Sequence, residues 1–307
     1  MKEIDFTSYD GKRLACFLWD EVEHPKGVIQ LVHGLTSHTL RYGDFAEALN
    51  AGGYIVFGDD HRMNGKTAGL ENLGKAGPDN FNENVRDEIE ITKMLREKFG
   101  LPVQLFAHSY GSFLGQRYIE LAGDSVDGVV LSGSAYMGGP MLFWGKVLTW
   151  FQRLFFGAYR PGKMFYKMTF TSNDRYFPDD TIQNAWLNRD PEKVKIYNAD
   201  PYCNFIMSHG FFYALMRGLA DACQKKNLKQ IPKGLPVFLI SGEKDPVGGM
   251  GVKVRALHEL YRSLGLNVRM KIYPDVRHEL TGDYDEQAHI ADMLAFFDAN
   301  IQHGGRP

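Results

Sequence analysis

The stretch Phe106-Ala107-His108-Ser109-Tyr110-Gly111-Ser112 joins an apolar run to the start of an amphipathic segment. Val103–Ala107 has the short apolar composition of a buried strand, and apolar residues recur at helical spacing from Phe113 to Ile119. The sequence therefore predicts a strand, a tight turn at Ser109 and a helix. A serine in such a turn presents its hydroxyl above the end of a sheet.

The five residues around Ser109 match the pattern G-x-S-x-G except at Ala107, which adds one methyl group to a crowded turn. Gly111 supplies the small second neighbour, and the following helix would favour negative charge near its N-terminus. A serine at a helix start also serves as an ordinary N-cap. The motif alone leaves both interpretations open, because short motifs produce many false matches.

Strand-like and helix-like segments alternate on both sides of this turn. The six predicted strands are Val28–Val32, Tyr54–Phe57, Val103–Ala107, Val129–Leu131, Val237–Ser241 and Val268–Tyr273. Short, nearly all-apolar strands separated by helices predict a mostly parallel sheet that is covered on both faces. The predicted fold class is therefore α/β.

The alternation stops in the middle of the chain. We predict one α/β core built from residues 1–133 and 231–307, with residues 134–230 inserted as a helical cap, or lid. A chain of 307 residues is long enough for one large domain with such an insertion.

The first half of this insertion is aromatic and basic. No Asp or Glu occurs from Gly128 to Asn173, although this stretch contains Lys146, Arg153, Arg160, Lys163 and Lys167. One interpretation is ordinary helix packing with solvated cations outside. The other is a lid over an apolar pocket that also makes transient contact with a lipid surface. The candidate substrate-binding residues are Phe151, Phe155 and Trp186.

A serine nucleophile needs a base and an acid that orients the base. Where a serine nucleophile lies in a strand–turn–helix of this kind, its partners follow in the order serine, acid, histidine, on loops after later strands. Asp245 comes just after the fifth predicted strand, and His278 just after the sixth. Glu243 is a competing acid nearer the strand. An ordinary turn aspartate and a surface histidine are the alternatives, but the order of all three positions favours catalytic roles for Ser109, Asp245 and His278.

Two backbone N–H groups are expected to stabilise the oxyanion of the reaction. One belongs to Tyr110, directly after the serine. The other belongs to Leu35, in a loop after the first predicted strand where Gly34 permits close approach. We interpret His33 as fixing this loop and His61 as bracing a neighbouring loop.

Composition excludes several other classes of protein. The 35 Lys+Arg and 37 Asp+Glu give a formal charge of −2, which does not fit a general nucleic-acid binder. No signal-like start is present, and no stretch reaches the roughly 18 apolar residues of a membrane span. The three distant cysteines, Cys16, Cys203 and Cys223, favour a reduced, cytoplasmic location. Gly65–Thr67 lacks the first glycine of a phosphate-binding loop, so we expect no cofactor, and no metal motif is met.

The whole pattern resembles the monoacylglycerol lipase and lysophospholipase-like branch of the α/β-hydrolases, also called serine aminopeptidase-like. The matching segments are His33–His38, Arg41-Tyr42, Asp60-His61-Arg62, the motif at Ser109, Ser241–Asp245, His278, Trp186–Asp190, Tyr197 and Asp200–Cys203. Met63-Asn64 departs from the family's Gly-His. The resemblance implies a cap over an acyl pocket and hydrolysis of carboxylic esters through an acyl-enzyme, with monoacylglycerols or lysophospholipids as substrates.

The expected function is therefore that of a serine esterase acting on a small acyl ester. A peptidase or amidase with the same triad is one alternative, although a protonated amine would require acidic residues that the first half of the insertion lacks. A non-catalytic ligand-binding protein of the same fold is another, and a lipid-surface anchor is a third. The aromatic run would serve a dimer contact as well as a lid, so the oligomeric state stays open.

Overall fold

The computed structural model describes residues 1–301 and contains one eight-stranded sheet flanked by helices. The strands are β1 (Lys2–Thr7), β2 (Arg13–Trp19), β3 (Gly27–Val32), β4 (Tyr54–Asp59), β5 (Val103–His108), β6 (Gly128–Ser132), β7 (Val237–Gly242) and β8 (Val268–Tyr273). The helices are α1 (Gly43–Ala51), α2 (Gly65–Ala68), α3 (Asn80–Phe99), α4 (Tyr110–Ala122), α5 (Pro140–Phe156), α6 (Lys163–Thr169), α7 (Pro191–Ala199), α8 (His209–Ala222), α9 (Lys225–Leu228), α10 (Val252–Ser263) and α11 (Glu286–Asn300). Residues 302–307, which end the predicted core range 231–307, lie outside the described residues.

The strand order is β1-β2-β4-β3-β5-β6-β7-β8. Strands β3 to β8 pair in parallel, whereas β2 pairs antiparallel with both β1 and β4. This arrangement confirms the α/β-hydrolase fold class that the sequence predicted. Strands β1 and β2 were not predicted from the sequence, and β1 consists of exposed and half-buried residues without an apolar run.

The two faces of the sheet are buried in separate cores. In β5, Leu105 and Ala107 pack into one core together with α4, whereas Phe106 packs into the other with α1 and α11. Because side chains alternate between the two faces of a strand, a sheet covered on both sides favours apolar residues at nearly every position. The strand β5 is fully buried along its length for this reason.

Helices α5 to α9 and short 3₁₀ turns lie between β6 and β7. Part of this segment is tied to the loop after β3: Thr36 Oγ1 and the Tyr197 hydroxyl are 2.6 Å apart, and His38 Nε2 is 2.9 Å from Asp200 Oδ2. The division into a core and a cap stays a prediction. Within residues 1–301, no helix is long and apolar enough to cross a bilayer.

Helix α5 exposes aromatic and other apolar side chains on its outward side. Leu142 and Thr149 are its buried residues. We define the aromatic face as the exposed apolar side chains of α5 and the chain that follows it: Met141, Phe143, Trp144, Leu148, Trp150, Phe151, Leu154, Phe155, Phe156, Tyr159, Met164 and Met168. A patch of this kind marks an interaction surface more often than ordinary solvent exposure.

Candidate active site

The turn at Ser109 is held in an uncommon backbone conformation. Strand β5 ends at His108, α4 begins at Tyr110, and Ser109 between them has φ 53° and ψ −117°. A positive φ is uncommon for a residue other than glycine. A Cβ atom at Gly111 would overlap the Val32 carbonyl oxygen, so this position requires glycine. The turn leaves Ser109 half-buried at the carboxyl end of β5.

Ala107 is the residue that departs from the G-x-S-x-G pattern, and Gly115 in α4 makes room for it. A Cβ atom at Gly115 would lie 3.2 Å from the Ala107 Cβ and 2.8 Å from Leu131 Cδ2. Since glycine has no Cβ, the extra methyl group of Ala107 fits between strand and helix. The substitution in the motif therefore leaves the turn intact.

The structure brings Ser109, His278 and Asp245 together in one row. His278 Nε2 lies 2.7 Å from Ser109 Oγ, and its Nδ1 lies 2.9 Å from Asp245 Oδ1 without forming an aligned hydrogen bond. Asp245 and His278 are 0% and 1% exposed. The Val247 N–H donates to Asp245 Oδ1 at 2.8 Å, which fixes the carboxylate.

This row has the chemistry of an activated hydroxyl. With a proton on Nδ1 facing the carboxylate, His278 Nε2 is free to accept the proton of Ser109. The competing acid Glu243 is exposed, and its carboxylate faces the Asp275 N–H at 3.4 Å instead. The geometry thus places Asp245, and not Glu243, beside the imidazole.

Two aromatic side chains enclose the His278 ring. The ring centroids of Trp186 and His108 lie 5.0 Å and 4.8 Å from that of His278. Burial, and then the nearby His278, hold the pKa of His108 well below its usual value, so His108 is neutral. A neutral neighbour does not oppose a positive charge on His278.

The residues that carry the two predicted oxyanion donors line the cavity at Ser109. Leu35 and Tyr110 line the same cavity as Ser109, and the N–H of Tyr110 belongs to the first turn of α4, where helix N–H groups have no intrahelical partner. A Cβ atom at Gly34 would lie 3.3 Å from the Ser109 Cβ, which shows how closely this loop approaches. We call residues 33–39 the oxyanion loop.

A cavity of about 400 Å³ opens above Ser109 and His278 and is mainly apolar. Trp186, one of the candidate substrate-binding residues, lines it. Phe151 and Phe155 do not: they are 45% and 72% exposed on the aromatic face, because α5 buries its opposite side. The apolar lining comes instead from other residues, among them Phe113, Met137, Met141, Met168, Phe170 and Met216.

A second, more polar cavity of about 310 Å³ adjoins the first. Tyr42 and Glu279 line both cavities. Arg41 forms two hydrogen bonds to Glu279, at 2.9 Å and 3.1 Å. This ion pair was not predicted from the sequence, because its partners are 238 positions apart.

The fold and the position of this row, at the carboxyl ends of parallel strands, define an α/β-hydrolase. Residues 23–285 match the family described as serine aminopeptidase, S33. The chain belongs to this family.

Known relatives agree with that assignment. A monoacylglycerol lipase of Mycolicibacterium smegmatis is 26% identical over 97% of this chain and 98% of its own length. The Homo sapiens monoglyceride lipase is 33% identical over 77% of this chain and 71% of its own length. A solved structure of a thermostable carboxyl esterase from Bacillus coagulans superimposes with a TM-score of 0.89, at 25% identity and 98% coverage of both chains.

Proposed function

We propose that the protein is a serine hydrolase that cleaves carboxylic esters of single acyl chains, such as monoacylglycerols, through an acyl-enzyme. The observation that carries the proposal is the 2.7 Å contact of Ser109 Oγ with His278 Nε2 at the floor of an apolar cavity. The monoacylglycerol lipase and carboxyl esterase relatives support ester hydrolysis as the reaction class.

The reaction would proceed in two halves. Ser109 Oγ attacks the ester carbonyl carbon while His278 takes its proton, and Asp245 stabilises the imidazolium. The carbonyl oxygen becomes an oxyanion that accepts hydrogen bonds from the N–H groups of Leu35 and Tyr110. His278 then gives its proton to the leaving alcohol. Water, activated by the same imidazole, releases the carboxylic acid and restores Ser109.

The two cavities fit the two parts of such an ester. The apolar cavity above Ser109 is suited to an acyl chain, which gains free energy when it leaves water. The polar cavity, which contains Arg41 and Glu279, is suited to a hydroxyl-bearing alcohol. A polar alcohol and a single apolar chain are the two halves of a monoacylglycerol.

An aminopeptidase function has less support. A substrate with a free α-amino group needs an unpaired carboxylate near the scissile bond. Among the described residues that line the apolar cavity, Glu279 is the acid, and Arg41 neutralises it through two hydrogen bonds. We therefore favour esters over aminoacyl amides.

The proposal predicts a definite substrate profile. We expect glycerol esters of medium to long acyl chains to give kcat/KM values about 10- to 100-fold above those of acetate esters, because each buried CH₂ contributes about 0.8 kcal/mol until the cavity is filled. Steady-state rates on esters of two to sixteen carbons, with glycerol and phosphocholine leaving groups, measure this. Aminoacyl amides serve as the control. Faster cleavage of the amides than of every ester would contradict the proposal.

We also propose that the aromatic face contacts an anionic lipid surface during catalysis. Met141 and Met168 are 81% and 59% exposed on this face and also line the apolar cavity, so the mouth of the cavity opens there. Lys163 and Lys167 are exposed beside them, and no acidic residue occurs from 128 to 173. Aromatic and basic side chains together are typical of interfacial binding.

Vesicle binding tests this contact. We expect the protein to sediment with phosphatidylcholine vesicles that contain phosphatidylglycerol, and Lys163→Glu/Lys167→Glu to weaken that binding at least about tenfold, since each basic residue contributes about 1 kcal/mol. The matched control is Lys225→Glu/Lys229→Glu, which makes the same charge change on exposed lysines in and beside α9. Equal binding by both double variants, or a stable dimer that needs the aromatic face in the absence of lipid, would overturn the proposal.

A further inference from the structure

His33 begins the oxyanion loop, and its ring stacks on the ring of His61. The ring centroids of His33 and His61 are 3.9 Å apart, and the His61 backbone N–H donates to His33 Nε2 at 3.2 Å. His33 Nδ1–H donates to the Gly34 carbonyl oxygen at 2.7 Å. One ring nitrogen of His33 donates and the other accepts, as in a neutral imidazole. Burial accordingly holds the pKa of His33 well below its usual value.

The His33 ring sets the direction of a predicted oxyanion donor. In a trans peptide the C=O and N–H groups point in opposite directions. The hydrogen bond to the Gly34 carbonyl therefore fixes the plane that also carries the Leu35 N–H. Any residue that holds His33 in place acts on this donor.

His61 contacts both the ring and the backbone of His33. His61 Nε2 lies 3.2 Å from the His33 carbonyl oxygen, while its Nδ1 lies 3.3 Å from Asp59 Oδ2 and 3.4 Å from Glu88 Oε1. The His33 carbonyl oxygen and the Asp59 carboxylate can only accept, so His61 donates to the first from Nε2 and to the second from Nδ1. An imidazole that donates from both nitrogens is an imidazolium.

The surrounding charges are balanced in this buried site. Burial lowers the pKa of His61, but Asp59, the His33 carbonyl and Asp60 together outweigh burial, so the net shift is upward. Burial, and then the charge of Asp59, raise the pKa of Glu88 well above its usual value, so Glu88 is neutral. The titratable groups that face His61 are those of His33, Asp59, Asp60, Glu88 and Tyr110. One cation and one anion, His61 and Asp59, then stand beside a neutral acid.

The chain on either side of His61 holds the rest of the oxyanion loop. The Thr39 N–H donates to Asp60 Oδ1 at 2.8 Å, and Asn64 Nδ2 donates to the Ser37 carbonyl oxygen at 2.9 Å. Residues 60–64 therefore contact the oxyanion loop at its start, middle and end.

We propose that His61 is a positioning residue for ester hydrolysis: as an imidazolium balanced by Asp59, it holds the His33 backbone and ring and thereby keeps the Leu35 N–H aimed at the oxyanion. This inference rests on the proposed function, because only a reaction through an oxyanion requires that donor. In this proposal His61, which is buried, acts on the reaction through the oxyanion loop and not by contact with the substrate.

Replacement of His61 tests the proposal. We expect His61→Gln to lower kcat roughly 10- to 100-fold with KM changed by less than about twofold, because the donor acts on the transition state and not on the bound substrate. An alkyl boronic acid, which forms a tetrahedral adduct with the serine, should lose affinity by the same factor. Glu88→Gln keeps a neutral group of the same shape, so its kcat should stay within about threefold.

Gln104→Met is the matched control. It removes a buried hydrogen bond, from Gln104 Nε2 to the Phe297 carbonyl oxygen, on the same strand as the serine turn but at its opposite end. We expect this variant to lower Tm without changing kcat or boronate affinity. If His61→Gln does not fold, Asn64→Ala removes a second bond to the oxyanion loop and should lower kcat about three- to tenfold.

The outcomes separate the two proposals. A folded His61→Gln variant with unchanged kcat and boronate affinity overturns the positioning role alone. Wild-type protein that neither hydrolyses esters nor binds the boronate overturns the proposed function and the positioning role with it. The side-chain nitrogen and oxygen atoms of Asp59, His61 and Glu88 that are able to coordinate a metal ion lie within 4.8 Å of one another. Stoichiometric metal in the purified protein would therefore overturn the imidazolium assignment.

Discussion

Ser109→Ala is expected to lower kcat by roughly 10⁴- to 10⁶-fold on a monoacylglycerol or a p-nitrophenyl ester, with the fold intact. The substitution removes the hydroxyl 2.7 Å from His278 Nε2 and with it the only atom that forms the acyl-enzyme in the proposed reaction. The remaining activity would come from water and the oxyanion donors. Single-turnover and steady-state rates measure the loss, and thermal unfolding shows that the fold is retained.

Ser112→Ala is the matched control for this variant. Ser112 belongs to the same motif, but its hydroxyl donates at 2.6 Å to the Ser109 carbonyl oxygen and does not reach the imidazole. We expect a change of less than about threefold in kcat, since one local hydrogen bond is lost. A fluorophosphonate probe should label wild type and Ser112→Ala stoichiometrically and fail to label Ser109→Ala. Normal turnover by Ser109→Ala would remove the basis of the proposed mechanism.

The central sheet was predictable because its chemistry is local. A strand such as Val103–His108 is buried on both faces, so its sequence is apolar at nearly every position. The candidate roles of Ser109, Asp245 and His278 could also be predicted, because each residue follows the end of a parallel strand. The edge strand Lys2–Thr7 was not, because a half-exposed strand carries polar residues that look like loop.

The cavity lining was harder to predict for a different reason. An aromatic helix such as α5 has apolar residues around most of its circumference, so periodicity does not say which side faces inward. Composition alone predicts that Phe151 and Phe155 line the pocket, but contact with α8 turns them outward. The ion pair of Arg41 with Glu279 depends on packing between distant segments, which no local pattern encodes.

Asp245→Asn is expected to lower kcat by roughly 10²- to 10⁴-fold while the substitution changes side-chain volume little. If the amide oxygen takes the place of Oδ1, it still accepts from the Val247 N–H, but the charge that stabilises the imidazolium is lost. If the amide nitrogen takes that place, it meets the Val247 N–H, and His278 is forced to carry its proton on Nε2. Nε2 then cannot take the proton of Ser109. One orientation therefore removes the stabilisation of the imidazolium, and the other removes the correct tautomer of His278.

Glu243→Gln makes the same chemical change two positions earlier in the chain. It is the control that distinguishes loss of the catalytic acid from loss of any negative charge in this loop. Glu243 is exposed and faces the Asp275 N–H, so we expect its kcat to stay within about twofold of wild type. Steady-state kinetics of both variants on one ester, with boronate affinity as a second measurement, distinguish the two acids. An equal loss in Glu243→Gln and Asp245→Asn would contradict the assignment of the acid, because Asp245, and not Glu243, lies 2.9 Å from His278 Nδ1.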